Sequence, residues 1–440
     1  MVVLSLQNAL VLASVALSSL AAGCWWSGWP EPVRRLRARV DGRPALTLAL
    51  VVGACAAIWT GIFLVYRFPI SGDVKQFFQP QGRAALAGGV PNADFDSSYM
   101  PMFPYLMGIL NPAGSSDFHI PLFFAECFVA TGCLLLPLAR SVGIDSRSAA
   151  TLAVPGLLSG GAWLLAIGYQ QDESLLLLLL VIAIVLRARD RGLASGVVLG
   201  LGLLVTKALF LVSVPALLAQ RAQRGRAVAG FAATVLPVIV LFLWLGWNPC
   251  RMLAGEAGAL VPPSLPAILS VHPAVYSARA WVRPIAYGLV GVWILCGGRL
   301  LDGGARAGAR GILRAVVGAW LGLLVMSPKS LTSYRLLILL LLPVLFHKCA
   351  SRRPWLVPLF CAYSTVVGVQ YMFYEDWINM PYAQFLHEHA AQAGALARLA
   401  ALMGMDVFIV GCEIVWLVLC LSLARDERRG AVDPAGQGCL

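Results

Sequence analysis

An acidic residue a few positions beyond an apolar run is the first feature with chemical potential. Residues 45–66 form such a run, and Asp73 follows it in SGDVKQFFQPQGRAALAGGVPNADFDSSYMPMFPYL, which also carries Lys75, Arg83, Asp94 and Asp96. A carboxylate held at a membrane face can take the proton from an acceptor hydroxyl, the task of a general base. Asp73 can equally cap a helix that starts at Val74, because an Asp side chain accepts from first-turn amides. Both readings stay open at this level.

Cations near the same ends of apolar runs form a second group. Lys207 lies between two short apolar pieces, 192–206 and 208–220, and Lys329 and Arg335 bracket a turn after Ser327-Pro328. A cation at depth is costly unless it is paired or faces water. Such groups suit a lipid-linked phosphate, although long side chains also snorkel to the interface. A third candidate, Gln170-Gln171-Asp172-Glu173, is either a polar turn between spans or part of a site. His387-Glu388-His389 has i, i+2 spacing, which puts the histidines on different sides of a helix, and it is not HExxH. An amphipathic solvated helix is expected there, with no metal. The eleven cysteines show no CxxC or other ligand spacing, and no phosphate-binding glycine loop or GxSxG elbow is present.

The elements that must position these residues are membrane helices. The 440 residues are 59% hydrophobic and 12% charged, with a mean hydropathy of +0.80. A soluble globule cannot bury that much apolar surface, whereas runs near 20 residues cross a bilayer. The net charge of +12 does not indicate nucleic acid, because the basic residues sit in short clusters between apolar runs. With Arg34, Arg35, Arg37, Arg39 and Arg43 inside, alternation also places inside the clusters at Arg140 and Arg147, at Arg187, Arg189 and Arg191, and at Arg221, Arg224 and Arg226. The 299–314 loop, Lys348 with Arg352 and Arg353, and Arg425 with Arg428 and Arg429 follow on that side. The expected fold is all-α, one polytopic bundle over 1–440 with roughly 11–13 spans, the 67–117 segment forming a helical outer loop and 425–440 a cytoplasmic tail. Residues 102–111 are a candidate for dipping back to the membrane surface. The initial apolar stretch has no basic residue before it and reads as a retained first span. The runs 174–188 and 336–347 are short, which tilt, burial by neighbours or a water-filled cavity would explain.

Four segments, taken in order, resemble the C-superfamily of integral membrane glycosyltransferases, most of all the bacterial alpha-mannosyltransferase-like enzymes that use polyprenyl-phosphate sugars. They are Asp73 in GDVKQFF; LAGG followed by Tyr99-Met100-Pro101; YQQDESLLLLLL running on to Lys207 and a later proline; and SPKSLTSYRLL, similar to the family's SPxSWxHH turn. Glu173 stands where the family usually has Asn, Leu331 where it has Trp, and Ser333 and Tyr334 where it has histidines. The resemblance implies metal-independent, inverting transfer without a cofactor, from a polyprenyl-phosphate sugar to a glycan or glycolipid acceptor. It implies Asp73 as base, with Lys207, Lys329, Arg335, Tyr334, Gln171, Asp172, Tyr99 and Lys75 around the donor and substrate. It further implies a bacterial inner-membrane enzyme whose site faces away from the cytosol. Two other readings compete. A proton-coupled transporter or flippase would use Glu126, Glu413 and Asp172 as intramembrane carriers. A glycan ligase or polymerase would lean on the 248–281 loop, which has only Arg251, Arg279 and His272.

Overall fold

The computed structural model describes residues 6–40, 43–65, 69–112, 116–145, 152, 154–214, 223–252, 260–301 and 308–432. Arg147, Arg221, the 215–220 stretch, the middle of the 299–314 loop and the tail beyond Val432 lie outside the described residues. The structure is 81% helical and has no strand among the described residues, which makes the bundle all-α. Eighteen α-helices are used below. The first half holds α1 (Leu6–Ser27), α2 (Glu31–Val40), α3 (Pro44–Thr60), α4 (Gln79–Leu86), α5 (Phe103–Leu110), α6 (His119–Ser141), α7 (Gly160–Trp163), α8 (Glu173–Ala188) and α9 (Gly192–Leu204). The second holds α10 (Arg224–Trp244), α11 (Leu265–Leu269), α12 (Pro273–Ser277), α13 (Arg279–Leu301), α14 (Gly308–Met326), α15 (Leu336–Arg352), α16 (Leu356–Trp377), α17 (Tyr382–His389) and α18 (Ala395–Val432).

Among the described residues nine stretches are long and apolar enough to cross a bilayer. They fall on α1, α3, α6, α10, α13, α14, α15, α16 and α18, so the protein is a multi-pass membrane protein. The other runs expected to span are shorter or broken. α8 has 16 residues and α9 has 13, and Ala208–Ser213 is a 3-10 turn. The 148–168 run is interrupted at Ser159, where the backbone turns extended.

Burial separates centre from rim. In α14 and α15, 83% of the spanning window is buried, against 22% in α10 and 17% in α13. The rim helices turn Leu236, Val240, Trp244, Trp281, Ile285 and Leu295 outward, a surface that water would reject and lipid accepts. Glycines let helices close up. A Cβ on Gly196 would lie 2.0 Å from the Ala227 carbonyl oxygen, and one on Gly230 2.3 Å from that of Leu193, so α9 and α10 touch backbone to backbone.

The break at Ser159 has a compensated cost. A helix start inside a membrane leaves N–H groups without partners. Here Gly160 N–H donates to Ser19 Oγ at 2.9 Å and Gly161 N–H to Ser364 Oγ at 3.1 Å. Trp163 Nε1 donates to Ser18 Oγ at 2.9 Å. α7 is thereby wedged between α1 and α16, and the π-helical turn Leu164–Gly168 continues from it. This delivers Tyr169-Gln170-Gln171-Asp172 to one end of the bundle.

The 69–111 segment folds over the same end. Gly82 and Gly108 let α4 and α5 meet, for a Cβ on Gly82 would lie 2.6 Å from Gly108 N. The 102–111 stretch becomes α5, a short helix whose Phe103 and Met107 are buried with Val74, Phe78, Tyr99, Phe124 and Leu175. Tyr99 stacks on Phe103 at 4.0 Å, and Phe78 meets both edge-on. This aromatic cluster fixes the segment to α6 and α8.

Candidate functional site

A cavity of about 570 Å³ opens at this end of the bundle, lined from seven separate parts of the chain: 69–81, 98–99, 168–171, Lys207, Pro262, 329–334 and 371–379. Asp73, Gln171, Tyr99, Lys207, Lys329 and Tyr334 all line it. Six of the sequence candidates therefore converge although they stand up to 261 positions apart in the chain.

Asp73 occupies the first turn of a helix that widens into the π-turn Val74–Phe78, a geometry frequent at functional sites. It has helical φ and ψ, and its side chain makes no capping bond. The carboxylate accepts instead from Gln171 Nε2 at 3.3 Å. The neighbouring Gln170, at φ 54, holds the entry to this turn. Its Oε1 accepts from Ser71 N–H at 3.0 Å and its Nε2 donates to the Pro69 carbonyl at 3.3 Å. The two glutamines thus divide the work, one fixing the backbone before Asp73 and the other its carboxylate.

Lys207 is placed by the Tyr99-Met100-Pro101 segment. Met100 N–H donates to the Thr206 carbonyl at 3.0 Å and Met102 N–H to that of Leu204 at 3.2 Å. The turn after Lys207 is tied to α14 by Trp320 Nε1 donating to Ser213 Oγ at 2.7 Å. The Lys207 ammonium lies 2.9 Å from Asp172 Oδ1 and 2.8 Å from Glu173 Oε1, with the Tyr99 and Tyr334 rings 5.3 and 5.5 Å away. Burial first, then Glu173, pushes the Asp172 carboxyl up to about 7. Burial works against charge on Lys207, but Asp172 and Glu173 outweigh it and hold the ammonium protonated, well above its usual range. An ammonium has three donors. Two serve the carboxylates and the third is left for the cavity. Asp172 is wholly buried and is not itself a wall residue. It acts on the site through Lys207 and through Tyr99, whose hydroxyl donates to Asp172 Oδ1 at 3.3 Å.

Lys329 arrives on the Ser327-Pro328 turn, which is sewn to 261–263. Val261 N–H donates to the Pro328 carbonyl at 2.9 Å, and Ser330 N–H to that of Val261 at 3.3 Å. A second cavity of about 180 Å³ adjoins the first and shares Ser98, Lys207, Lys329 and Tyr334 with it. Beyond them its wall is largely apolar, with Leu209, Met252 and Leu323. The two lysines therefore stand where a polar chamber meets an apolar one.

Two expected site residues are elsewhere. Lys75 is exposed on the turn after Asp73 and does not line the cavity; one residue along a helix is a rotation of about 100°, and Lys75 follows Asp73 by two. Arg335 is fully buried, and its guanidinium is consumed by protein groups. Nε lies 2.8 Å from Glu413 Oε1, Nη2 donates to the Pro263 carbonyl at 2.6 Å, and Nη1 donates to Ser330 and Leu331 oxygens at 3.0–3.1 Å. It fixes the lysine-bearing turn and does not face a ligand. Glu413, also bonded by the Tyr363 hydroxyl at 3.0 Å, is an ion-pair partner, unlike a solitary proton carrier. Glu126 is exposed on α6, in a largely apolar groove with Trp59 and Cys133.

Other wall residues escaped the sequence reading: Tyr169, Thr332, Tyr371, Tyr374, Glu375 and Asn379. The signal for Glu375 was present, a carboxylate straight after the apolar run 354–374. His387 and Glu388 lie on the exposed side of α17 while Tyr382, Ala383 and Phe385 are buried, the expected amphipathic pattern. Among the described residues no cluster of three or more His, Cys, Asp or Glu is placed to hold a metal ion.

The fold and site thus define a multi-pass helical membrane protein with a polar, lysine-bearing cavity at one end of its bundle. Comparison of the sequence with protein-family models finds no match, and comparison with curated proteins finds no significant similarity.

Proposed function

We propose that the protein is a membrane glycosyltransferase that moves a sugar from a polyprenyl-phosphate donor to an acceptor hydroxyl, with inversion. The observation that carries this reading is a single cavity whose wall holds the Asp73 carboxylate and two lysines, the lysines bordering an apolar chamber. An anionic headgroup on a long hydrocarbon tail fits that junction: phosphate at Lys207 and Lys329, first isoprene units among Leu209, Met252 and Leu323. In the step itself the acceptor O–H gives its proton to the Asp73 carboxylate as its oxygen bonds to the anomeric carbon. The bond from that carbon to the phosphate oxygen breaks, and its electron pair leaves with the lipid phosphate. Charge grows on the departing phosphate, where fixed cations in a poorly solvated site are most effective. The positive charge is supplied by lysines, so the step as written needs no metal.

The alternation of basic clusters supports a site facing away from the cytosol. Following α8 and α15 from the cavity leads to Arg187 and Arg189, and to Arg352 and Arg353, at their far ends. A bacterial inner membrane with an extracytoplasmic site is the matching location. The test is turnover of polyprenyl-phosphate mannose by the full chain in proteoliposomes. Asp73→Asn is expected to lower turnover by about 100-fold or more while the protein still inserts and binds polyprenyl phosphate. Unchanged turnover in that variant would remove Asp73 as base, and no binding of polyprenyl phosphate by the wild type would remove the donor class.

A further inference from the structure

The cavity has two chemically different walls. The lysines occupy the part shared with the apolar chamber. The part built by the C-terminal turn of α16 has no cation among the described residues and carries Tyr371, Tyr374, Glu375 and Asn379, with Tyr169 beside them. Tyr169 and Tyr371 meet edge to face at 4.6 Å. The Tyr374 hydroxyl donates to the Met380 carbonyl at 3.0 Å, which holds its ring in place. Asn379 closes α16 at φ 44, its N–H donating to the Tyr374 carbonyl at 2.8 Å. Asn is among the few residues that tolerate this left-handed conformation, and here it brings a side-chain amide to the wall. Glu375 is half-buried, has no hydrogen-bond partner among the described residues, and lies within the field of Asp73.

Aromatic rings pack on the C–H faces of a pyranose, and carboxylate and amide groups satisfy its hydroxyls in a fixed plane. The Glu375 carboxylate, within the field of Asp73 and with no cation on its wall among the described residues, also repels any acidic ligand, which makes the wall selective as well as attractive. We infer that this wall is the acceptor subsite and takes a neutral, hydroxyl-rich glycan end, with Glu375 as a positioning residue that accepts from its hydroxyls and turns one toward Asp73. The inference rests on the transferase reading above and adds the acceptor's chemical class.

The test uses the full chain in nanodiscs and three probes: a decyl mannobioside, its 6′-phosphate, and decaprenyl phosphate. The neutral glycoside is expected to bind, and the phosphorylated one to bind at least about 10-fold more weakly. Glu375→Gln and Asn379→Ala are each expected to weaken the neutral glycoside by about 10-fold, the loss of one hydrogen bond involving a polar partner. Neither should move decaprenyl phosphate affinity by more than about twofold, since the lysines are untouched. Should Glu375→Gln fail to fold, Asn379→Ala carries the same comparison. Equal binding of the neutral and phosphorylated glycosides, no glycoside binding at all, or variants that leave it unchanged would overturn the subsite. Glycoside binding that needs Glu375, without decaprenyl phosphate binding, would leave the subsite standing and overturn the donor assignment instead.

Discussion

Arg335→Met tests whether the buried guanidinium is a structural strut or a donor ligand. In the folded protein it neutralises Glu413 at 2.8 Å and satisfies the carbonyls of Pro263 and Ser330, all buried, and the part-buried carbonyl of Leu331. Removing it leaves a buried carboxylate without its counter-charge, a change that costs about 3–5 kcal/mol. The loss corresponds to a shift of roughly 150- to 5,000-fold in the folding equilibrium. The pair itself is a weaker matter, because replacing both partners by apolar groups removes both desolvation costs. Arg335→Met is therefore expected to lower the thermal midpoint of the detergent-solubilised protein markedly, and Arg335→Met with Glu413→Leu to recover most of it. The assay is thermal unfolding followed by tryptophan fluorescence, alongside decaprenyl phosphate binding at a temperature where each variant is folded. A single variant with wild-type thermal stability but no decaprenyl phosphate binding would refute this reasoning and return Arg335 to the donor site.

Asp172 gives a pH prediction. Its carboxyl is raised from the usual 3.8 to about 7 by burial and by Glu173, so between those values the folded protein retains a proton that the unfolded chain has lost. The stability linked to that proton falls as pH rises across the window, and Asp172→Asn should flatten the thermal midpoint against pH. Affinity for decaprenyl phosphate should likewise fall as pH rises through about 7, because the Lys207 corner then gains a negative charge, and the same variant should remove the dependence. Lys329→Ala should raise the KM for the lipid-phosphate donor about 10- to 100-fold, the value of a hydrogen bond to a charged group, and a KM unchanged in steady-state kinetics would exclude it from the headgroup site. Gly160→Ala would place a Cβ 2.1 Å from the Val15 carbonyl oxygen. It should cost at least the roughly 1–3 kcal/mol of overpacking, read as a lower thermal midpoint, and a neutral substitution would show that α1 and α7 can part.

The helical bundle and much of the cavity were legible in the sequence for one reason: in a membrane protein, polar residues at the ends of apolar runs are constrained by the bilayer. Asp73, Gln171, Lys207, Lys329 and Tyr334 share that property and share the cavity. Arg335 shares it too and was misplaced, because end-of-run position does not disclose a partner 78 residues away. Glu413, read alone, looked like a proton carrier for the same reason. Lys75 shows the limit of residue type, since its short distance from Asp73 in sequence still leaves it on the exposed side of the turn. The break at Ser159 has the sequence Ser-Gly-Gly, yet its viability depends on Ser19 and Ser364 from distant helices, which no local pattern contains. Tyr371 and Tyr374 lie within the apolar run 354–374 and Glu375 directly after it, so residue type did not set the two rings apart from core positions, whereas the end of α16 faces the cavity.

The unequal helix lengths determine how deep the chemistry would lie. α8, starting beside Lys207, has 16 residues and is about 24 Å long, less than the roughly 30 Å of hydrocarbon. α18 has 38 residues, about 57 Å, and its Glu413 is level with the start of α15 through the bond to Arg335. The floor from which α8 and α15 depart is thus sunk below the rim to which α18 rises. The lipid-phosphate donor proposed above would present its headgroup there while its chain stays among the acyl tails, and the proposed acceptor would have to descend to meet it.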